Sequence, residues 1–383
     1  MDMPIISFAF FIIPVTALNK TIDYPWRIFQ TMAKPEFDFI VVGQGVAGSS
    51  LAWFLMQRGK RVLVVDNGHQ SCASNVAIGL INPILGRSMN IPWRCSQIFP
   101  ALKPIYQGFE KSLHARLIYE RVFYRLFIDQ KQRTKWLKKQ DDDAYQPFLT
   151  KKTDSILMNE WMNAPFGGFA YQGGFWIDTV QLVQAFRAHF LAMGNYREHE
   201  MSSTELEVRE EHVLLNGITA SHLIFCEGSH GAANPYFRWV PFALTKGEVL
   251  GFESDELDTD AVIIRNGFLT RGANDKYFVG VTHDRHDLSP TQTPKGRELL
   301  ASKLAMIVRT PCNILAQKAG IRPATTDGKP VLGRHFQHQR LGFFNGLGGK
   351  GFSLGPYYAR QMADFLVENK PVDPEVALSR FYP

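Results

Sequence analysis

The segment Phe37 to Asp66 constrains this chain more than any other. An apolar run, Phe37 and then Phe39 to Val42, enters Gly43-Gln44-Gly45-Val46-Ala47-Gly48. From Ala47 to Gln57 the residues Leu51, Phe54 and Leu55 recur at helical spacing, and Gly59 stands just past the end as a C-cap. Arg61 to Val65 reads as a second strand, closed by Asp66. The separation of Asp66 from Gly48 is near that of a dinucleotide-binding βαβ unit, whose carboxylate, here with Asn67 beside it, reaches a ribose. Gly43 permits the tight turn, Gly45 lets backbone approach a pyrophosphate, and Gly48 lets helix pack on strand. Val46 and Ala47 open the helix, where free N–H groups and the positive dipole end favour phosphate. This unit alone does not separate NAD from FAD.

At 383 residues the chain has room for two domains, which are interleaved if later strands rejoin the first sheet. A net charge of +6 permits an anionic substrate. The basic residues are scattered, and the densest run, Lys131 to Lys139, is followed by three aspartates, which suits a solvated helix face and does not indicate a nucleic-acid partner. Cys72, Cys95, Cys226 and Cys312 show neither CxxC pairing nor a zinc-like His spacing, so no metal is expected and a reducing cytoplasm fits. Pro4 to Leu18 is almost wholly apolar, yet it is short for a transmembrane span, contains Pro14 and lacks a basic flank. The expectation is that residues 1–31 lie outside the fold, with Met32 as the functional start.

Downstream, Ser71 to Pro83 is a small-residue loop. Residues 98–139 read as helical, and Gly167-Gly168 and Gly173-Gly174 frame a short strand pair, Phe169 to Tyr171 and Phe175 to Ile177. Asp178 is a good N-cap for a helix over Thr179 to Met193. His222 to Cys226 runs into Glu227-Gly228 and reads as a return to the parallel sheet. Strands follow at Leu244 to Phe252, Val262 to Leu269 and Lys276 to Thr282, then a helix over Pro294 to Val308, the pattern of an antiparallel sheet with a covering helix.

Two C-terminal stretches carry further chemistry. In Gly320 to Gly333, Arg322 precedes a proline that restricts its backbone. A guanidinium held this way suits either bidentate carboxylate recognition or a structural salt bridge. Gly346-Leu347-Gly348-Gly349-Lys350-Gly351-Phe352 is a second glycine loop, and Pro356 reads as the start of the last helix. A helix N-terminus there suits the negative charge of a reduced flavin ring, to which Lys350 either adds charge or faces solvent.

These motifs, in this order, resemble the amine-oxidising FAD enzymes of the D-amino acid oxidase superfamily, closest to glycine oxidase and sarcosine oxidase. They also resemble the FAD domain that removes a carboxymethyl group from modified wobble uridine in tRNA. The resemblance covers nearly all of residues 36–370. It implies an α/β fold: a Rossmann-like FAD-binding domain from residues 35–97, 178–235 and 315–370, and an interleaved α+β substrate domain of mostly antiparallel sheet from 98–177 and 236–314. Gly43, Gly45, Gly48 and Asp66 would hold the ADP part of FAD. Ser71, Ala73, Ser74, Gly79, Leu80 and Gly228 would lie along the cofactor, and Gly348 to Gly351 would face the ring. Arg322 falls where glycine oxidase grips the substrate carboxylate, and Phe268 and His283 fall near its substrate cavity. Phe268 replaces a tyrosine. Gly320 stands where sarcosine oxidase carries its flavin-linking cysteine, so FAD is expected to be non-covalent. The implied reaction is oxidation of a C–N bond in a small amine or amino acid by hydride transfer to flavin, with imine hydrolysis. Dioxygen is a candidate electron acceptor. Demodification of tRNA and non-catalytic FAD binding are the alternatives.

Overall fold

The computed structural model describes residues 34–68, 72–149 and 160–383, and Pro35–Pro383 form one compact unit. The expectations for residues 1–31 and for Ser71 lie outside the described residues. The first strand, Phe37–Val42, is buried on both faces. Phe39 and Val41 pack with Leu51, Leu55 and Tyr358 on one side, while Ile40 and Val42 pack with Leu63, Leu223 and Phe225 on the other. Each such side chain contributes roughly 1.5–3 kcal/mol of burial. A strand apolar on both faces belongs inside a covered parallel sheet. Phe37–Val42 indeed pairs in parallel with Val62–Asp66 and with Ile218–Phe225, and the latter pairs in parallel with Leu341–Asn345. Between Val62–Asp66 and Ile218–Phe225 the chain passes through the second sheet, so the dinucleotide fold is discontinuous. Helices Val46–Gln57 and Gly351–Glu368 pack against each other on one face.

The second sheet runs in the order Asn313–Arg322, Thr245–Glu253, Tyr277–Gly280, Phe268–Arg271, Val262–Ile264, Ile118–Leu126, Gly168–Ile177 and Leu80–Ile81. Its pairs are antiparallel except Val262–Ile264 with Ile118–Leu126. Helix Pro294–Ile307 covers it through Leu300, Leu304 and Ile307. Both the Rossmann-like half and the mostly antiparallel half are therefore present.

Four local expectations are corrected. Residues 98–139 are not one helical stretch: helix Cys95–Leu113 gives way to strand Ile118–Leu126, whose β-branched and aromatic residues win over the helical period. Val262 to Leu269 is a hairpin, because Asn266 adopts φ 50° and Gly267 follows it. The pair at Phe169 and Phe175 is one strand, Gly168–Ile177, with Gly173 at φ 81° near a register shift. The last helix starts at Gly351, so Pro356 lies inside it. Proline has no N–H for the carbonyl four residues back, that of Phe352. The buried Tyr106 hydroxyl donates to that carbonyl at 2.7 Å and replaces the missing bond.

Candidate active site

The carboxyl ends of three adjacent parallel strands, at Val42, Val65 and Phe225, open onto one cavity of about 750 Å³ that continues into the second sheet. At one end Asp66 is the organising charge. Its carboxylate accepts the backbone N–H of Gln44 at 2.7 Å and of Gly68 at 2.8 Å, and the Arg187 guanidinium at 3.2 Å. Arg187 also donates to the Gln44 side-chain oxygen at 2.9 Å, and the buried Gln44 amide donates to the Val183 carbonyl at 2.9 Å. A carboxylate offers about four acceptor sites, so these three bonds leave acceptor capacity on a residue that lines the cavity. Gln44 and Arg187 were invisible to motif spacing, being 143 residues apart. The glycine turn with a charged residue on the following helix Thr179–Ala192 was the available signal.

Helices Val46–Gln57 and Gly351–Glu368 both begin on the cavity wall, and neither is capped by the side chain of its own N-cap residue, Gly45 and Lys350. A methyl group on Gly351 would stand 3.3 Å from Val46, so the two starts adjoin. Two helix N-termini, each with a positive dipole end, therefore meet over one space. Ser74 accepts the Val46 N–H at 3.0 Å through its hydroxyl. Gly45 packs against that hydroxyl, where a Cβ would sit at 3.0 Å.

Of the residues singled out by sequence, Gly43, Gly45, Val46, Ala47, Asp66, Asn67, Ala73, Ser74, Gly79, Leu80 and Gly228 line this cavity. So do Phe268, His283, Arg322, Gly348, Gly349, Lys350, Gly351 and Phe352. Gly48 and Gly346 are not on its wall. A side chain on Gly48 would overlap the Gly43 carbonyl, and Gly346, at φ +76°, turns against Thr325. Their glycines serve close packing and a turn. Sequence reasoning missed Glu227, whose burial raises its carboxyl pKa against the opposing hydrogen bond from Asn234 at 2.8 Å. It also missed Gly247.

At the far end Arg322 closes strand Asn313–Arg322, opposite Thr245 and near Gly247 on the neighbouring strand. Its guanidinium donates to the Thr282 carbonyl at 3.2 Å and lies 3.4 Å from His283 Nδ1. No carboxylate among the described residues pairs with it. Burial lowers Arg322 to about 10, which leaves it cationic at neutral pH. Burial and then the nearby Arg322, Lys303 and Arg285 charges lower His283 to about 4, so His283 is neutral. Any Cβ on Gly247 would overlap the guanidinium, so this glycine makes the space Arg322 occupies. The loop carrying His283 is tied to strand Thr245–Glu253 by backbone bonds between Lys246 and Asp284 and by the buried Lys246 ammonium on Asp287 at 2.6 Å.

The donor set fits FAD: an acid-ended strand, two helix starts without a cap from their own N-cap residues on one cavity, and glycines along its wall. Residues 38–365 match the model of the DAO family, FAD dependent oxidoreductase. Glycine oxidase of Bacillus subtilis is 22% identical over 89% of this chain and 95% of its own. The tRNA 5-methylaminomethyl-2-thiouridine biosynthesis bifunctional protein of Maricaulis maris is 25% identical over 89% of this chain, which spans 54% of that protein. Among solved structures, glycine oxidase from Bacillus cereus superposes with a TM-score of 0.73 at 21% identity, over 88% of this chain and 96% of that one. With its cavity, its paired helix starts and its match over residues 38–365, the chain belongs to the FAD-dependent oxidoreductases of the DAO family, and FAD is its cofactor.

Proposed function

We propose that this protein oxidises the C–N bond of a small amine or amino acid that carries a carboxylate. The observation behind this reading is Arg322: a half-buried guanidinium, without an anionic partner among the described residues, on the wall of the cofactor cavity. Burying a cation without a counter-charge is costly unless a ligand supplies one. FAD supplies the two-electron acceptor when bound. Gly43, Gly45, Val46, Ala47 and Asp66 would hold its ADP part, and the backbone from Gly348 to Gly351 would face the ring's pyrimidine side, where a helix N-terminus favours negative charge. Arg322 binds the substrate carboxylate and so fixes the carbon next to nitrogen. Neutral His283 accepts an Arg322 N–H at Nδ1 and orients the fork. The burial and positive field that keep His283 neutral also favour an unprotonated substrate amine, the electron-rich form. Phe268 and Ile78 form the apolar wall, and a tyrosine hydroxyl is absent at Phe268. The FAD-binding part is assigned to residues 35–97, 178–235 and 315–370 and the substrate part to 98–177 and 236–314, with Leu80–Ile81 and Asn313–Arg322 of the FAD-binding part pairing into the second sheet. FAD is held non-covalently, so acid precipitation should release all of the yellow colour into the supernatant.

Anaerobic mixing of the FAD-loaded protein with glycine, sarcosine, proline and D-amino acids should bleach the oxidised flavin absorbance with at least one of them. Unchanged absorbance across the panel would remove the amine-oxidising reading. The relative named for tRNA modification supports a second reading, a carboxymethylaminomethyl group on wobble uridine, which offers the same carboxylate to Arg322. That reading expects affinity for tRNA that falls steeply with salt.

A further inference from the structure

A second cavity lies at the opposite edge of the parallel sheet. In strand Ile218–Phe225 the carboxyl end meets the cofactor cavity at Cys226, whereas His222, opposite Phe39, sits about 13 Å back along the strand. Arg340 directly precedes strand Leu341–Asn345, and Arg334 ends the antiparallel strand beside it, paired with Gly342. Around a space of about 520 Å³ these strand ends gather Arg334, Arg340, His222, His338, Gln337 and Gln339. Arg209 and Glu210 complete the charged wall. Arg209 is already paired with Glu207 at 2.8 Å, and Glu210 contributes its backbone carbonyl, which accepts from Arg340 at 3.1 Å.

Neither Arg334 nor Arg340 forms an ion pair within the described residues. Arg334 donates only to the Leu366 carbonyl at 3.3 Å and stacks over Phe365, and its Nε is buried without a hydrogen-bond partner. His222 Nδ1 is likewise buried and unpartnered. Two guanidinium groups that line one cleft within reach of each other's charge, with no carboxylate partner among the described residues, leave a positive field that favours an anion. Ligands of open α/β sheets bind at the carboxyl edge, so the cofactor's needs do not account for this cluster.

We propose that this cleft binds a small multiply charged oxyanion of the phosphate or pyrophosphate class. Two uncompensated guanidinium groups supply charge, and the Gln337 amide and the imidazoles supply donors from several directions, the Gln339 amide being already given to the His335 and Phe336 carbonyls; this suits tetrahedral oxygens better than one planar carboxylate. The site is separate from the FAD cavity and does not depend on the substrate proposed above.

The test is calorimetric titration of the FAD-loaded protein with inorganic pyrophosphate at constant ionic strength, with sodium chloride as control. Saturable binding is expected, weakened about tenfold in Arg340→Gln. Because Arg340 also bonds backbone, Gln337→Glu provides a second variant at an exposed position that removes no hydrogen bond among those described. It should weaken binding by a similar factor while the flavin spectrum stays unchanged. Absence of saturable binding, or wild-type affinity in both variants, overturns the site.

Discussion

Arg322 decides most at the scale of single residues. Its two neighbouring carbonyls and His283 hold it in place without neutralising it. Arg322→Ala should lower kcat/KM for a carboxylate substrate by roughly 10- to 100-fold, mainly through KM, with the FAD content unchanged. Gly247→Ala tests the same claim from the other side. The atoms nearest the new methyl all belong to the Arg322 guanidinium, which it displaces, so steady-state kinetics should show a loss similar to that of Arg322→Ala. Wild-type KM in Gly247→Ala would mean that Arg322 does not work from its present position. Arg322 was legible because a proline follows it. Gly247 was not, since nothing in its own neighbourhood says that an arginine on a later strand needs its missing side chain.

The elements show where reading by period succeeds and fails. The first βαβ unit was readable because its glycines and Asp66 answer to backbone geometry within one short stretch of chain. Strand Ile118–Leu126 escapes such a reading because its neighbours in the sheet, which decide its state, are far along the chain. The start of the last helix escapes it because Pro356 is tolerated only through Tyr106, 246 residues from the carbonyl it serves. A double-mutant cycle checks that account by urea unfolding. Tyr106→Phe should cost about 1–3 kcal/mol by leaving the Phe352 carbonyl unpaired. In a Pro356→Ala background, where the substituted residue brings an N–H to that carbonyl, the same change should cost markedly less. Equal costs in both backgrounds would break the link between the two residues.

The whole molecule sets two sheets around one elongated cavity, with the parallel sheet presenting an acid and a helix start and the antiparallel sheet presenting Arg322. That division was legible in outline, since the glycine motifs and the return strand mark the first sheet; how the second sheet closes the cavity was not, because it depends on pairings such as Thr245 with Arg322. Stability of the whole should also respond to pH. Burial, with Arg334 and Arg340 beside it, lowers His222 to about 4 from 6.5. The unfolded chain takes up a proton there below about 6.5 and the folded chain does not until about 4, so stability falls as pH drops through that window. His222→Asn should flatten the fall by about 1–2 kcal/mol, a figure kept modest by partial exposure. Among the described residues no helix is long and apolar enough to cross a membrane. Carboxylate recognition by Arg322 is tested most directly by anaerobic stopped-flow reduction of the bound FAD by sarcosine, compared with an equal concentration of dimethylamine, which lacks the carboxylate. Sarcosine should bleach the wild-type flavin at least about tenfold faster than dimethylamine, and that preference should vanish in Arg322→Ala. Equal rates in the wild type, or a preference that survives the loss of Arg322, would contradict it.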